Sequence, residues 1–413
     1  MTGTGPYSSA VAWSVSPAGI GAVSNAGVFT PAATGTATII ATSTQDSTKS
    51  GSATVTVALP QNSLVVTFPN PNIYESPDIW RLSGSSIISP TGGAYLKFQV
   101  TGTQNITANV DTTINSSLGP DDMPSIKVVI NSGTPYFVQF SPNNTVGTPI
   151  TIASGLNSTT SYSVSLYMIG GNESAGDGWA GTSFQTKIDS LEFDPGSTLS
   201  SQSLAGKSCI FYGDSILETY YGGPISGPYY TYVDYTEAWP SYVAPMLGCE
   251  YSEIGIYGQG WLLTGQGGYP PFPSSWGHYD STDPKTFSTM PDYVVIDLGT
   301  NDATHSPVTI AENVSAVLTQ MRAKFGVNTR IILVTPYNPT FNDPEGNPRT
   351  GIINGYSSYE ETTPDANAFL IDLGTTVQQY TLPPWSLDDT HPDQAAHAII
   401  GPIIGADIQN AIQ

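Results

Sequence analysis

The chain has few basic residues, few charged residues of any kind and no long apolar run. Of its 413 residues, 11 are Lys or Arg and 33 are Asp or Glu, so its net charge is −22. Nucleic acids and anionic membranes are bound through basic clusters, so this charge argues against both as partners. No stretch approaches the roughly 20 apolar residues that cross a bilayer. The acidity predicts a well-solvated surface, with adaptation to salt or acid as the alternative.

Cysteine is scarce, and the first residues carry no export signal. Cys209 and Cys249 cannot build a disulfide framework, and their places at predicted core strands favour two buried thiols over one bridge. The opening segment MTGTGPYSS has neither the basic nor the apolar region of a signal peptide. We therefore expect the chain to begin inside a longer protein. Its Ser/Thr/Gly-rich β segments and scarce lysine predict a secreted, extracellular protein.

Turn-forming residues are abundant, with 42 Gly and 33 Pro, and hydrophobic residues make up 39% of the chain. This composition predicts β-rich folded domains and argues against disorder. The length predicts two or three domains. From changes in pattern along the chain we place them at residues 1–60, 61–203 and 204–413.

Residues 1–60 alternate apolar and small polar residues, which is the periodicity of β-strands. The Trp13 strand, the turn from Asn25 to Gly27 before Val28-Phe29 and the strand GTATII resemble the bacterial Ig-like group 2 module. Few residues precede Trp13, so we expect a partial β-sandwich of this kind. The resemblance implies a spacer or stalk without chemistry.

Two further segments follow, each with its own sequence pattern. Residues 61–203 contain short strand-like runs separated by Pro, Gly and Asn, among them SLVVTF, AYLKFQVTG, SIKVVIN and YSVSLYMIG, which predict a sandwich or jelly roll. Residues 204–413 instead alternate strands such as SCIFYGDS and DYVVIDLGTND with helices such as TIAENVSAVLTQMRAKFG. That alternation predicts a parallel sheet with helices on both faces, whose active site lies beyond the carboxyl ends of the strands.

Candidate chemistry lies at these junctions. Ser215 ends Gly213-Asp214-Ser215 directly after an apolar strand, but a serine hydroxyl is a weak nucleophile without a neighbouring base. Asp388 and His391 are three residues apart before the last helix, a spacing that allows a carboxylate to orient an imidazole. Capping of that helix is the alternative role of this segment.

Two further motifs supply candidate oxyanion donors. Asn301 follows the strand YVVIDL, and its side-chain amide is a neutral donor, although Asn-Asp is also an ordinary turn pair. The glycine loop around Gly258 could bring a backbone N–H to the same oxyanion or merely shape a loop. The four histidines show no metal-ligand spacing, so we predict neither a metal nor a cofactor.

The order of these motifs resembles the SGNH (GDSL-type) hydrolase superfamily, which is named for its Ser, Gly, Asn and His blocks. The resemblance covers roughly residues 205–413 and implies a flavodoxin-like three-layer α/β fold that hydrolyses esters. It implies Ser215 as nucleophile, Asp388 and His391 as the rest of a triad, and an oxyanion hole from Ser215, Gly258 and Asn301. Glu253 departs from the pattern, because many members have Asn there, and this leaves the geometry of the glycine loop open.

The preceding β region is similar to that of carbohydrate esterase family 2, through Gly92-Gly93-Ala94-Tyr95-Leu96, SIKVVIN and KIDSLEFDPGSTL. This likeness implies an ester substrate, an acetylated saccharide above all. A general short-chain esterase or lipase-like hydrolase and a non-catalytic carbohydrate-binding or adhesion protein are the alternatives. The pattern does not predict the oligomeric state. Loop aromatics could stack on a sugar or pack locally: Trp261, Tyr269, Trp276 and Trp385.

Overall fold

A computed structural model describes residues 8–57, 62–143, 145–181, 183–220, 227–287, 289–337 and 346–413. The chain folds as two compact units, residues 1–62 and 63–413. The predicted boundary between residues 60 and 61 lies outside the described residues. The second unit contains both the later β region and the α/β region.

The first unit is antiparallel β structure. Its strands are β1 (Val11–Ser16), β2 (Gly21–Val23), β3 (Phe29–Pro31), β4 (Gly35–Ser43) and β5 (Ser50–Val57). Strands β1, β4 and β5 form one sheet in that order, and β2 pairs with β3. The β-strand periodicity of this segment is thereby confirmed.

The second unit begins with two antiparallel sheets. The strands of one sheet are β7 (Tyr74–Glu75), β10 (Tyr95–Thr101), β12 (Ser125–Ile130), β13 (Tyr136–Gln139), β15 (Ser161–Gly170) and β17 (Thr198–Ser200). Their order in the sheet is β13-β12-β15-β10-β17, with β7 also paired to β10.

The strands of the other sheet are β6 (Leu64–Val66), β8 (Arg81–Ser83), β9 (Ser86–Ser89), β11 (Ile106–Val110), β14 (Thr148–Ala153) and β16 (Thr186–Phe193). Their order in the sheet is β14-β11-β16-β9-β8, with β6 paired to β16.

One apolar core joins these two sheets. Leu96, Phe98 and Val100 point inward at every second position of β10, and Ile106, Ala108 and Val110 do so on β11. This is the period-2 burial of a sheet that packs on one face. The same core includes Ile256 and Tyr269 of the α/β region, so the sandwich packs directly on that region.

The α/β region is built on a parallel sheet. Its strands are β18 (Lys207–Gly213), β19 (Cys249–Gly255), β20 (Tyr293–Asp297), β21 (Arg330–Val334) and β22 (Ala368–Ile371). Within the described chain their order is β19-β18-β20-β21-β22, which is the flavodoxin-like order 2-1-3-4-5 of these strands. The direction of winding reverses at β18, and a crevice for a ligand opens at such a switch point.

Helices cover both faces of this sheet. They are α1 (Trp239–Leu247), α2 (Phe272–Ser275), α3 (Pro307–Phe325), α4 (Asn347–Thr362) and α5 (Gln394–Ala411). Helices α1 and α5 contribute to the core on one face, and α3 and α4 contribute to the core on the other. The predicted parallel sheet with helices on both faces is thus confirmed. The predicted helical segment TIAENVSAVLTQMRAKFG forms α3, whereas the sequence pattern did not predict α4 or β22.

Local sequence explains the longest of these helices. The Ser306 side chain caps α3 by accepting the N–H of Val308, Pro307 occupies the first turn, and Gly326 follows its end. Its buried residues recur at helical spacing and face the sheet: Ile310, Val314, Val317, Leu318, Met321 and Phe325. Cys209 and Cys249, on the neighbouring strands β18 and β19, are both buried free thiols. In the parts of the chain that the structure describes, each helix is too short or too polar to cross a membrane.

Scarce cations of the sandwich pair with acids of the α/β region. Lys97 contacts Glu250 at 2.6 Å, and Lys127 contacts Asp234 at 2.7 Å. Tyr95 donates its hydroxyl to the same Glu250 at 2.6 Å. Because these groups are largely buried and also hydrogen-bonded, breaking one partner would leave an uncompensated buried charge. These contacts fix the sandwich against the region that carries the candidate catalytic residues.

Candidate active site

Ser215 lies just past β18, at the carboxyl edge of the sheet. Asp214 shapes the turn: its Oδ1 accepts the N–H of Ile216 at 3.0 Å and its carbonyl accepts the N–H of Leu217 at 3.0 Å. Ser215 is only 3% exposed. The turn therefore holds the hydroxyl in one place beside the sheet.

The structure brings His391 and Asp388 to this serine. Ser215 Oγ lies 2.7 Å from His391 Nε2, and His391 Nδ1 lies 2.6 Å from Asp388 Oδ2. The other carboxylate oxygen, Oδ1, accepts the N–H groups of Thr390 at 3.0 Å and His391 at 2.9 Å. Asp389, at φ +59°, completes this tight turn. The helix α5 is capped separately by Asp393, whose side chain accepts the N–H of Ala396, so Asp388 is not the helix cap.

The surroundings of Asp388 keep it ionised. Partial burial by itself raises the pKa of this carboxyl, but the hydrogen bonds from the ring and backbone of His391, its charge and the N–H of Thr390 outweigh burial. The net effect holds the pKa of Asp388 well below its usual range. A charged Asp388 fixes the proton of the imidazole on Nδ1 and leaves the Nε2 lone pair facing Ser215.

Candidate oxyanion donors lie around the same serine. Among the described residues, the backbone N–H groups of Ser215 and Gly258 have no hydrogen-bond acceptor. Gly258 has φ +74°, a conformation that glycine adopts without strain. The Asn301 amide Nδ2 donates to Asp214 Oδ2 at 3.1 Å and to the carbonyl of Gln259 at 2.9 Å. These bonds join Asn301 to both the serine turn and the glycine loop.

Asp214 is a neutral partner at pH 7. Burial, reinforced by the charge of Asp297, raises the pKa of Asp214 to about 8. Burial likewise raises the pKa of Asp297 to about 7. A protonated Asp214 accepts weakly, so its bond with Asn301 is easier to exchange for one with a charged oxyanion.

Two tyrosines that the sequence analysis did not assign to the site surround His391. The Tyr220 ring meets the imidazole edge to face at 5.1 Å between centroids, and the Tyr257 ring stacks on it at 6.1 Å and 17°. The tyrosines also contact each other at 5.2 Å. Their positions next to the motifs were a signal, because Tyr257 precedes Gly258 and Tyr220 is five residues after Ser215.

The predicted sugar-stacking aromatics are placed differently. Trp261, Tyr269 and Trp276 are 1%, 4% and 9% exposed. Trp261 packs edge to face on Phe272, and Trp276 belongs to the core against α3. We therefore correct their assignment from substrate contacts to the core, because their faces are already covered by protein. Trp385 stays partly exposed and packs against Tyr380.

Glu253, the departure from the superfamily pattern, lies inside β19 and is fully buried. Its backbone N–H donates to the carbonyl of Gly93 at 3.4 Å. Burial raises the pKa of the Glu253 carboxyl well above its ordinary value. The position thus belongs to the contact with the sandwich, and the glycine loop keeps its turn at Gly258 without an Asn there.

A cavity of about 620 Å³ lies elsewhere, where the sandwich meets the amino end of β18. Its lining includes Tyr74, Arg81, Ser208 and Tyr279, and no member of the Ser215 group. Within the described residues, no cluster of three or more His, Cys, Asp or Glu side chains could hold a metal ion.

Residues 211–399 match the sequence profile of the GDSL-like lipase/acylhydrolase family. With this match, the chain is a carboxylic ester hydrolase that carries an SGNH-type hydrolase domain. Comparison with curated protein sequences gave no match.

Several solved structures that superpose on most of the chain are carbohydrate esterases. A family two carbohydrate esterase from Cellvibrio japonicus superposes with TM-score 0.67 at 14% identity, covering 85% of this chain and 98% of its own. An acetyl xylan esterase from the rumen bacterium Butyrivibrio proteoclasticus gives 0.64 at 15% identity, with coverages of 85% and 98%. A family two carbohydrate esterase from Clostridium thermocellum, in complex with cellohexaose, gives 0.64 at 16% identity, covering 82% and 98%. At these identities the likeness is one of fold.

Proposed function

We propose that the chain is a serine esterase that removes short acyl groups, acetyl above all, from carbohydrates. The catalytic part rests on a chain of two hydrogen bonds. Ser215 Oγ lies 2.7 Å from His391 Nε2, and His391 Nδ1 lies 2.6 Å from Asp388 Oδ2. The carbohydrate part is supported by the shared architecture with family two carbohydrate esterases. The alternative is a general short-chain or lipase-like esterase.

The first half-reaction forms an acyl-enzyme. His391 Nε2 takes the hydroxyl proton while Ser215 Oγ bonds to the acyl carbon, and the carbonyl electron pair moves onto oxygen. Asp388 stabilises the imidazolium. When the tetrahedral intermediate collapses, the bond to the sugar oxygen breaks and that oxygen takes the proton from His391.

The second half-reaction releases the acid. A water gives its proton to His391 Nε2 as its oxygen bonds to the acyl carbon. The proton then returns to Ser215 Oγ as the acyl bond to serine breaks. Each of the two tetrahedral intermediates carries an oxyanion. We assign the stabilisation of this oxyanion to the N–H groups of Ser215 and Gly258 and the amide of Asn301. A full negative charge competes well against Asp214 and Gln259 for the Asn301 hydrogens.

Substrate preference tests this function. We expect acetate release from acetylated xylan and acetylated monosaccharides, and faster turnover of p-nitrophenyl acetate than of p-nitrophenyl octanoate, all lowered by roughly 10⁶-fold in Ser215→Ala. Acetate can be measured by an enzyme-coupled assay and nitrophenol by absorbance. Activity on the aryl esters alone would keep the esterase and reject the carbohydrate substrate. Turnover near the wild-type rate in Ser215→Ala would reject the triad, and binding of acetylated xylan without turnover would favour a non-catalytic role.

Removal of the Asn301 amide tests the oxyanion assignment. We expect Asn301→Ala to lower kcat by about 10²–10³ with little change in KM, because the amide acts on charge that exists only in the transition state. Asn354, exposed on α4, provides the control substitution Asn354→Ala. Equal kcat values for the two variants would remove Asn301 from the oxyanion hole.

We further propose that the protein acts outside the cell and that residues 1–60 are an Ig-like spacer. The Ser/Thr/Gly-rich β segments support extracellular action, as does a polysaccharide substrate. The three-stranded sheet β1-β4-β5, with Trp13 opposite Ala41, supports the spacer.

A further inference from the structure

Two buried carboxyl groups lie behind the glycine loop. Glu173 is 2% exposed and comes from the sandwich, in the 3-10 helix Glu173–Ala175 between β15 and β16. Glu218 is 0% exposed and follows Ser215 by three residues. The two carboxyl groups lie close together, and each shifts the pKa of the other. Glu173 Oε2 also accepts the backbone N–H of Tyr257 at 3.2 Å.

This pair needs a proton. As two carboxylates they have no donor between them, and both oxygens of Glu218 and Oε1 of Glu173 are without a donor among the described residues. Burial raises the pKa of Glu173 to about 8, and burial with the charge of Glu173 raises the pKa of Glu218 well above its ordinary value. Near neutral pH the pair keeps at least one proton.

The hydrogen bond to Tyr257 lies one residue from the candidate oxyanion donor. Gly258 follows Tyr257 directly, and a Cβ at Gly258 would meet nothing within 4 Å. A glycine in open space is conformationally free, so its N–H needs an anchor elsewhere to keep one direction. Tyr257 supplies that anchor twice, through its N–H on Glu173 and its ring against His391.

Resting on the proposed function, we propose that Glu173 is a positioning residue that, paired with the buried Glu218, holds Tyr257 and thereby aims the Gly258 N–H at the oxyanion beside Ser215. The sandwich then has a part in catalysis without touching the substrate. It contributes an acceptor for the backbone of a loop in the other region.

Among the residues that the structure describes, the groups around the pair do not supply a counter-charge. Asp214 lies near Glu218 and is itself neutral at pH 7 because burial raises its pKa to about 8. The remaining titratable neighbours are tyrosines whose pKa is raised, which keeps them uncharged: Tyr229, Tyr235, Tyr257 and Tyr269. Loss of the shared proton at high pH would therefore place two repelling charges in an apolar site.

Two substitutions of Glu173 separate positioning from packing. Glu173→Leu keeps most of the volume and leaves the Tyr257 N–H without its acceptor. We expect its kcat to fall about 10- to 100-fold, with KM for p-nitrophenyl acetate changed less than about threefold, because Gly258 acts on the transition state. Glu173→Gln keeps a side-chain oxygen for Tyr257 and an amide that can face Glu218. We expect it to restore kcat to within about threefold of wild type. All assays run well below the melting temperature of each variant.

The outcomes are distinct. Wild-type kcat in folded Glu173→Leu, or equal losses in Glu173→Leu and Glu173→Gln, would overturn the positioning role. A wild-type protein without Ser215-dependent turnover would instead reject the proposed function. If Glu173→Leu does not fold, Glu173→Gln and Glu218→Leu carry the comparison. Glu218→Leu removes the partner carboxyl of Glu173 and leaves Glu173 in place. It is expected to lower kcat by a similar factor, and an unchanged kcat there would also contradict the inference.

Thermal stability gives a second readout. Because the folded pKa values of the pair are raised, the folded protein holds protons that the unfolded chain has lost between about pH 4.5 and pH 8. The stability that these groups contribute is therefore present at low pH and lost as pH rises through this window. We expect the melting temperature of Glu218→Gln to fall less steeply from about pH 5 to pH 8 than that of wild type. Parallel slopes would show that the pair does not hold the proton.

Discussion

Replacement of Ser215 by Ala is expected to lower kcat by roughly 10⁶-fold, and the further change His391→Ala is expected to lower it no further. The hydrogen bond of 2.7 Å between Ser215 Oγ and His391 Nε2 makes the two side chains act as a unit, because neither can transfer the proton without the other. Residual turnover should remain about 10³–10⁴ above water, because the oxyanion donors and binding persist. Asp388→Asn should cost less, about 10⁴-fold.

The measurement is kcat of the single and double variants on p-nitrophenyl acetate, with protein purified free of host esterases. Ser274→Ala, an exposed serine on α2, is the matched control and should turn over like wild type. Ser215→Ala should keep a melting temperature close to that of wild type, because it removes the polar contact of one small group. His391→Ala also removes ring packing against Tyr220 and Tyr257, so its melting temperature should be lower. Multiplying losses in the double variant would show that Ser215 and His391 act independently, contrary to a relay.

The site could be predicted as a set because sequence order is coupled to space in a parallel sheet. The carboxyl ends of β18, β19 and β20 lie along one edge, so motifs that follow those strands are neighbours in the fold. Ser215, Gly258 and Asn301 each follow one of them. Asp388 and His391 join them from the turn before α5, whose apolar face packs on the same sheet as α1.

The sequence did not reveal every element of this region. Strand β22 has only four residues, and α4 is polar with Gly351 and Gly355 in its interior, so neither has a strong periodic signal. The glycines are there because α3 approaches closely: a Cβ at Gly355 would lie 2.6 Å from Val314 Cβ. This close approach of α3 is a tertiary contact, and the local sequence pattern does not encode it.

Burial of the loop aromatics and the role of Glu173 were hidden for the same reason. Trp261 lies in a segment that has the composition of a loop, yet its ring nitrogen donates to the carbonyl of Leu298 in the interior. Glu173 lies in the sandwich, 84 residues before the Tyr257 whose N–H it binds. Contacts across two domains follow from docking, which local sequence patterns do not encode.

Docking itself can be tested at Gly93. This residue has φ +81°, and its backbone bridges the two regions, with its N–H on the carbonyl of Met168 at 3.0 Å and its carbonyl accepting from Glu253. A Cβ there would lie 2.0 Å from the carbonyl oxygen of Glu253, which is backbone of β19 and cannot rotate away. Gly93→Ala should therefore combine left-handed strain of about 1–2 kcal/mol with overpacking of about 1–3 kcal/mol.

Together these terms should lower the free energy of unfolding by about 2–5 kcal/mol and the melting temperature by about 3–7 °C. Gly155→Ala is the matched control, since Gly155 has φ +70° in the same sandwich and open space around its Cβ position. It should lose only the strain, about 1–3 °C. Calorimetry of both variants checks the difference. Equal losses of melting temperature in the two variants would mean that the backbone around Gly93 shifts at no cost in free energy. The sandwich would then be docked too loosely for Glu173 to hold Tyr257 and aim the Gly258 N–H.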